Sequence, residues 1–190
     1  EINTIDVLLR EQGSNNGRIL EIGSGTSPHG LPLAQHGHVT VGIDLSDPML
    51  CYAQQAAQSL SIANRYIKAN LCNFALEEDP FDCAIFMSET FPLFVEYDDL
   101  VNHFACVHRH LKQGGIYVVD VDAHHRGYRH QLKTWGKHQV ILPGGFVKVR
   151  YEDQPADWMR GINHTAMHCH IQTHDLNIVT EDHWEVRVYS

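Results

Sequence analysis

The chain has 190 residues and a formal net charge of −9, from 14 Lys and Arg against 23 Asp and Glu. That length is enough for one domain with a sizeable core, and a hydrophobic content of 43% excludes a disordered chain. The acidic balance, with no Lys/Arg cluster, weighs against a nucleic-acid partner, and no apolar run approaches the ~20 residues of a membrane span.

Residues 2–10 (INTIDVLLR) predict the end of a helix leading into a loop at Gly13–Gly17. Residues 18–45 (RILEIGSGTSPHGLPLAQHGHVTVGIDL) are the most informative run. An apolar strand (Ile19, Leu20, Ile22) breaks into a glycine turn at Gly23 and Gly25. A helix from Pro28 to about His36 follows, with Ser27 as its cap and Pro28 at its first position. Pro32, one turn further on, predicts that this helix is short or bent. A second strand (Val39, Val41, Ile43) ends on Asp44. Strand, glycine turn, helix, strand, acid is the adenosine-binding half of a Rossmann-like sheet. The glycines let a ligand touch the backbone, and an acid at the tip of the second strand can accept both ribose hydroxyls.

Ser46-Asp47-Pro48 reads as the cap and first turn of a helix running from Met49 to about Leu60. Arg65–Lys68 is a short third strand, followed by Ala69-Asn70-Leu71. Asp82–Met87 is a fourth strand, apolar on both sides as a central parallel strand should be. Tyr97-Asp98-Asp99 opens a helix whose core stripe is Leu100, Val101, Phe104, Val107 and Leu111. Lys112-Gln113-Gly114-Gly115 closes it with a glycine stop, and Ile116–Val121 is a fifth buried strand. The alternation predicts an α/β fold: a Rossmann-like, mostly parallel sheet with helices on both faces and ligands at the carboxyl ends of the strands.

The remainder behaves differently. Residues 123–137 are polar and read as helix or loop. HQVIL, a turn at Pro143-Gly144-Gly145 and FVKVRY form a β-hairpin signal. After Pro155–Gly161, INHTAMHCHIQTH and IVTEDHWEVRVYS alternate like strands, joined by a turn at Asp175-Leu176-Asn177. The expected division is therefore a core over 1–122 and a small appended antiparallel β-sheet over 123–190. The chain begins at Glu1 without methionine and stops on HWEVRVYS, which reads as the end of an insertion, so the expectation is a segment cut from a longer domain.

The ligand chemistry narrows by elimination. The dinucleotide pattern G-x-G-x-x-G fails because its third glycine slot is Pro28, and no Gly-Lys-Ser or Gly-Lys-Thr of a Walker motif occurs. What remains is E-x-G-x-G at Glu21, Gly23 and Gly25, with Asp44 on the next strand and LSDPML after it. This resembles the first motif of the class I S-adenosylmethionine-dependent methyltransferases. The post-helix turn and fifth strand, LKQGGIYVVDV, resemble that family too, and the likeness covers residues 17–122. It implies S-adenosylmethionine as cofactor, held by Glu21, Gly23, Ser24, Gly25, Asp44, Leu45, Met49, Asn70, Leu71, Met87 and Ser88. Asn70 departs from the family, which usually has an acid there. Its carbonyl oxygen can still accept from the adenine N6, with the Leu71 N–H reaching N1.

The resemblance also implies a small-molecule methyl acceptor, methylated on nitrogen, oxygen or carbon. Small-molecule members often carry an antiparallel insertion over the active-site mouth, as acceptor cap or dimer contact, and its unpaired edges invite a homodimer. His124 and His125 follow the fifth strand and Glu89 follows the fourth, so these three are the candidates for a catalytic base or for steering the acceptor. Five scattered cysteines without a C-x-x-C pair suit reduced thiols in a cytoplasmic protein. Of 15 histidines, nine fall between 124 and 183. Even spacing sets His168, His170 and His174 on one strand face, and an H-x-H pair can chelate zinc. No third ligand set accompanies it, so no metal site is assigned. A catalytically silent, methyltransferase-like binding module within a larger protein remains the alternative function.

Overall fold

A computed structural model describes residues 1–88, 90–121, 133–157 and 159–187. Contacts divide the chain into two compact units. One comprises residues 1–91 and 96–121; the other comprises 92–95 and the chain from 122 onward.

The first unit is a five-stranded parallel sheet in the order β3-β2-β1-β4-β5. Its strands are β1 (Arg18–Ile22), β2 (Val39–Asp44), β3 (Arg65–Lys68), β4 (Phe81–Phe86) and β5 (Leu111–Val119). The helices are α1 (Ile2–Glu11), α2 (Gly30–Gln35), α3 (Asp47–Ser59) and α4 (Tyr97–His110). β1 and β4 are nearly all buried and carry apolar side chains on both faces, which places them at the centre of a parallel sheet. Ile5 and Leu9 of α1 pack on Ile19, Leu33, Cys83 and Ile85; each such side chain, fully buried, contributes about 1.5–3 kcal/mol. The strand order reverses between β1 and β4, and ligands of such sheets bind at that switch, beyond the carboxyl ends.

The helix after β1 departs from expectation. It begins at Gly30 rather than Pro28, and Ser27 is not its cap. Ser27 sits at φ 60° in the left-handed region, and its hydroxyl donates to Glu21 Oε2 at 2.5 Å. The buried Glu21 carboxylate also accepts from the N–H groups of His29 and Gly30. A side chain from β1 thus satisfies donors at the start of α2, the task usually given to a neighbouring cap residue. Pro32 falls in the first turn, where its missing N–H costs no helical bond, and the helix is only six residues long. The next helix, α3, keeps to expectation at its start, with Ser46 at the N-cap and Asp47 and Pro48 in its first turn.

The core face of α4 is also shifted. His103, Cys106, Val107 and His110 are buried, whereas Val101 and Phe104 are 46% and 44% exposed. Two histidines can occupy the interior because both ring nitrogens of each are bonded. For His110, Nδ1 meets Cys106 O at 2.7 Å and Nε2 accepts the Leu76 N–H at 2.9 Å. Gly114 and Gly115 do not stop this helix. The chain enters β5 directly at Leu111, and the glycines lie in a pairing irregularity between Phe81↔Leu111 and Cys83↔Ile116. β5 ends at Val119, two residues short of the expected Val121.

The second unit is a four-stranded antiparallel meander, β6-β7-β8-β9. Its strands are β6 (Lys133–Leu142), β7 (Gly145–Asp157), β8 (Ile162–Gln172) and β9 (Asn177–Arg187). Residues from Lys133 onward, expected as helix or loop, are strand, paired against Asp153 and its neighbours. β7 likewise runs through Pro155 to Asp157, where a loop was expected, because an irregularity there admits the proline. His174 does not share a strand face with His168 and His170. It lies beyond the end of β8, in the turn, beside Asp175.

Candidate functional site

The carboxyl ends of β1, β2, β3 and β4 bring together most of the residues singled out from sequence. After β1, Gly23 and Gly25 have φ of 60° and 49°, a conformation that favours glycine. A Cβ on Gly23 would stand 3.0 Å from the Phe86 ring, so the turn lies directly over the end of β4. Ser24 is buried. Its N–H donates to Ile43 O at 2.9 Å, and a Cβ on Gly42 would stand 2.8 Å from its Oγ. The turn therefore rests on β2 as well. Beneath it lies Glu21, 3% exposed, whose carboxyl burial pushes up in pKa against the opposing bonds from Ser27, Gly30 and His29. Glu21 faces the loop from inside the protein, where it fixes the loop's shape.

Asp44 closes the other side. Its Oδ2 accepts the Gly25 N–H and its Oδ1 accepts the Ser46 N–H, both at 2.8 Å. A carboxylate has about four acceptor positions, so capacity remains for two further donors. Leu45 and Met49 follow, 57% and 48% exposed. The Met49 sulfur is 3.5 Å from where a Gly25 Cβ would lie, which sets a thioether beside the glycine turn.

The loop after β3 is tied to the same acid, since the Ala69 N–H donates to Asp44 O at 3.0 Å. Asn70 turns inward on its own loop: its Oδ1 accepts the Cys72 N–H at 2.9 Å, and its carbonyl accepts the Asn73 N–H. The Leu71 N–H meets no acceptor among the described residues, while the Leu71 carbonyl accepts from His103 at 2.8 Å. At the end of β4, Met87 is half-buried and Ser88 is exposed with φ 62°. A left-handed non-glycine residue at that point costs about 1–3 kcal/mol of backbone strain, of the kind concentrated at ligand sites.

Glu89, His124 and His125 lie outside the described residues. His168 and His170 are on β8 but have different partners. His168 lies between Glu181 (3.3 Å) and Glu152 (3.5 Å), and His170 Nε2 meets Asn177 Oδ1 at 2.9 Å. Among the described residues no group of three or more His, Cys, Asp or Glu is arranged to hold a metal ion. Also among the described residues, no helix is long and apolar enough to cross a membrane.

Sequence reading missed Phe86, His103 and Tyr117, which stand behind the site. The His103 ring neighbours the other two, 5.3 Å from Phe86 and 5.8 Å from Tyr117. The available signal was the seven-residue spacing of His103 and His110, which puts both on the face of Cys106 and Val107.

Residues 19–115, just over half the chain, match the family described as "Methyltransferase domain". A Geobacillus sp. (strain WCH70) protein named as a methyltransferase is 30% identical over 105 residues, 55% of this chain and 42% of its own length. YqeM of Bacillus subtilis (strain 168) is 31% identical over the same shares. The chain thus spans less than half the length of these relatives. Among solved structures, an S-adenosylmethionine-dependent methyltransferase from Clostridium acetobutylicum has a TM-score of 0.79 at 18% identity, covering all of this chain and 74% of the other. The sugar N-methyltransferase KedS8 from Streptoalloteichus has a TM-score of 0.82 at 17% identity, covering all of this chain and 73% of the other. At these identities the likeness is one of fold.

Proposed function

The chain belongs to the methyltransferase domain family, and we propose that it is an S-adenosylmethionine-dependent methyltransferase acting on a nitrogen, oxygen or carbon atom of a small-molecule acceptor. The observation that carries this reading is the joining of the Gly23–Gly25 turn to Asp44, with acceptor capacity left on the carboxylate. Both glycines of the turn stand at positive φ, and Gly23 is pressed against the Phe86 ring, so the turn is built of bare backbone where a nucleoside must approach.

When bound, S-adenosylmethionine supplies a sulfonium methyl that is already electrophilic. Asp44 accepts the two ribose hydroxyls. The Leu71 N–H donates to the adenine ring edge, and Leu45 and Met49 cover its faces. Met87 and Ser88 line the methionine end, and Glu21 keeps the glycine turn in shape. Holding a nucleophile in line with the S–CH₃ bond can lower the barrier by roughly 7–11 kcal/mol. A base is needed only for an acceptor that arrives protonated, and adds about 10²–10⁴-fold. That part is assigned to the sequence after β4 and β5, where Glu89, His124 and His125 fall. Self-association through the edges of the antiparallel sheet belongs to the same reading and is tested by sedimentation.

The test of the main claim is calorimetric titration of the 190-residue chain with S-adenosylmethionine. Binding that Asp44→Ala weakens at least tenfold supports the site. No binding by the parent, or equal binding by the variant, overturns it. Binding without methyl transfer to any amine, hydroxyl or carbon acid would leave a binding module in place of an enzyme.

A further inference from the structure

We propose that His103 is a positioning residue of the cofactor site, holding the Leu71 carbonyl so that the Leu71 N–H faces the ring edge of adenine. The proposal rests on the reading of Leu71 as the adenine-facing residue.

His103 is completely buried on α4. Its Nδ1 lies 2.8 Å from Leu71 O and its Nε2 lies 2.6 Å from the Tyr117 hydroxyl. A carbonyl can only accept, so Nδ1 carries the proton. Nε2 of the neutral ring then accepts, and Tyr117 donates. Burial favours this neutral arrangement on both sides, moving the His103 pKa down, against the opposing Leu71 bond, and the Tyr117 pKa up. The tautomer is thus fixed by a tyrosine on β5, and one ring face packs on Phe86, the residue beneath Gly23.

An imidazole with both nitrogens bonded could be interior filling alone. Its partner argues for more. Around Leu71, the Asn70 Oδ1 and carbonyl accept from Cys72 and Asn73, and the Ala69 N–H is held by Asp44. The N–H groups of Asn70 and Leu71 meet no acceptor among the described residues, and the carbonyl of Leu71 is the one His103 holds. The Leu71 N–H shares a peptide plane with the Asn70 carbonyl, which the Asn73 N–H holds, and His103 holds the next plane through the Leu71 carbonyl, so the two peptides that flank Leu71 are anchored together.

The test uses S-adenosylhomocysteine and its 6-oxopurine analogue, which carries a hydrogen on N1 and so opposes a donor. The parent should prefer the adenine compound at least tenfold. His103→Asn keeps an N–H near the Nδ1 position and should hold that preference within threefold. His103→Gln places its amide near Nε2, so adenine binding should weaken at least tenfold and the preference should fall toward one, at a melting temperature similar to that of His103→Asn. Tyr117→Phe, which leaves the ring in place, should lower the preference at least threefold and serves if the His103 variants do not fold. Equal losses in His103→Asn and His103→Gln, or an unchanged preference in His103→Gln or in Tyr117→Phe, overturn the proposal and leave the cofactor site standing. A parent that binds neither compound overturns both.

Discussion

The backbone N–H of Gly25 donates to Asp44 Oδ2 at 2.8 Å, so the turn after β1 and the tip of β2 form one rigid unit. Removing the carboxylate frees the turn and leaves two N–H groups, of Gly25 and Ser46, without their charged acceptor. Asp44→Ala should lower stability by about 1.5–3 kcal/mol, the usual worth of a hydrogen bond to a charged group, alongside its loss of affinity. Urea unfolding gives the first quantity and titration calorimetry the second. A stability loss without an affinity loss would remove Asp44 from the ligand site.

Glu21 predicts a pH dependence of definite sign. Burial raises its folded pKa above the ordinary 4.5, so the folded state holds this proton more tightly than the unfolded state. Stability from this group is complete below pH 4.5 and falls as pH rises through the folded value. Gln can accept the His29 and Gly30 N–H groups and does not ionise. Melting temperatures from pH 4.5 to 8 should therefore fall less steeply for Glu21→Gln than for the parent. Parallel curves would show that Glu21 does not titrate in that window.

Asp82 works in the opposite sense. Burial alone would raise its pKa, but Lys112, the Arg18 N–H and the Ser14 hydroxyl together hold it below the ordinary 3.8. Its stabilisation is present above pH 3.8 and is lost as pH falls through the folded value. Asp82→Ala leaves the Arg18 N–H without this acceptor and should cost about 1–3 kcal/mol at neutral pH. The deficit against the parent should shrink under acid, as followed by urea unfolding at pH 7 and pH 2.5.

Gly42→Ala and Gly114→Ala form a contrasting pair. A Cβ on Gly42 would lie 2.7 Å from Tyr66 Cδ1 and 2.8 Å from Ser24 Oγ, so alanine must lift the glycine turn off β2. Overpacking of this kind costs about 1–3 kcal/mol, and cofactor affinity should fall with it. Gly114 has φ 79° and nothing within 4 Å of its Cβ position. Alanine there should cost about 1 kcal/mol in backbone strain and leave cofactor affinity unchanged. Equal affinity losses in the two would show that the turn's seat on β2 does not matter for binding.

The legible parts of the sequence were those governed by local rules. β1, β2 and β3 could be placed within a residue because apolar runs stop at glycine or at a polar tip, and the Pro143-Gly144 turn announced its hairpin. What escaped was decided by partners distant in sequence. Ser27 resembles a helix cap, but Glu21 on β1 claims its hydroxyl. His103 looks polar, but Leu71 and Tyr117 make the interior hospitable to it. Val101 and Phe104 fit a helical stripe that is displaced by a neighbouring face with histidines in it. The adenine contact expected of Asn70 gave no sign that its Oδ1 also accepts the Cys72 N–H in a turn of its own loop.

The central place of β1 has a consequence for the nascent chain. β1 pairs with β2, its successor in sequence, and on its other side with β4. During synthesis from the N-terminus, one edge of the strand that carries Ile19, Leu20 and Ile22 stays bare until Phe81–Phe86 has emerged. The antiparallel meander has no such interval, because each of its strands pairs with the one made just before it. The interval before β4 arrives is when this protein is most exposed to mispairing with another copy, and when a chaperone would have most to protect.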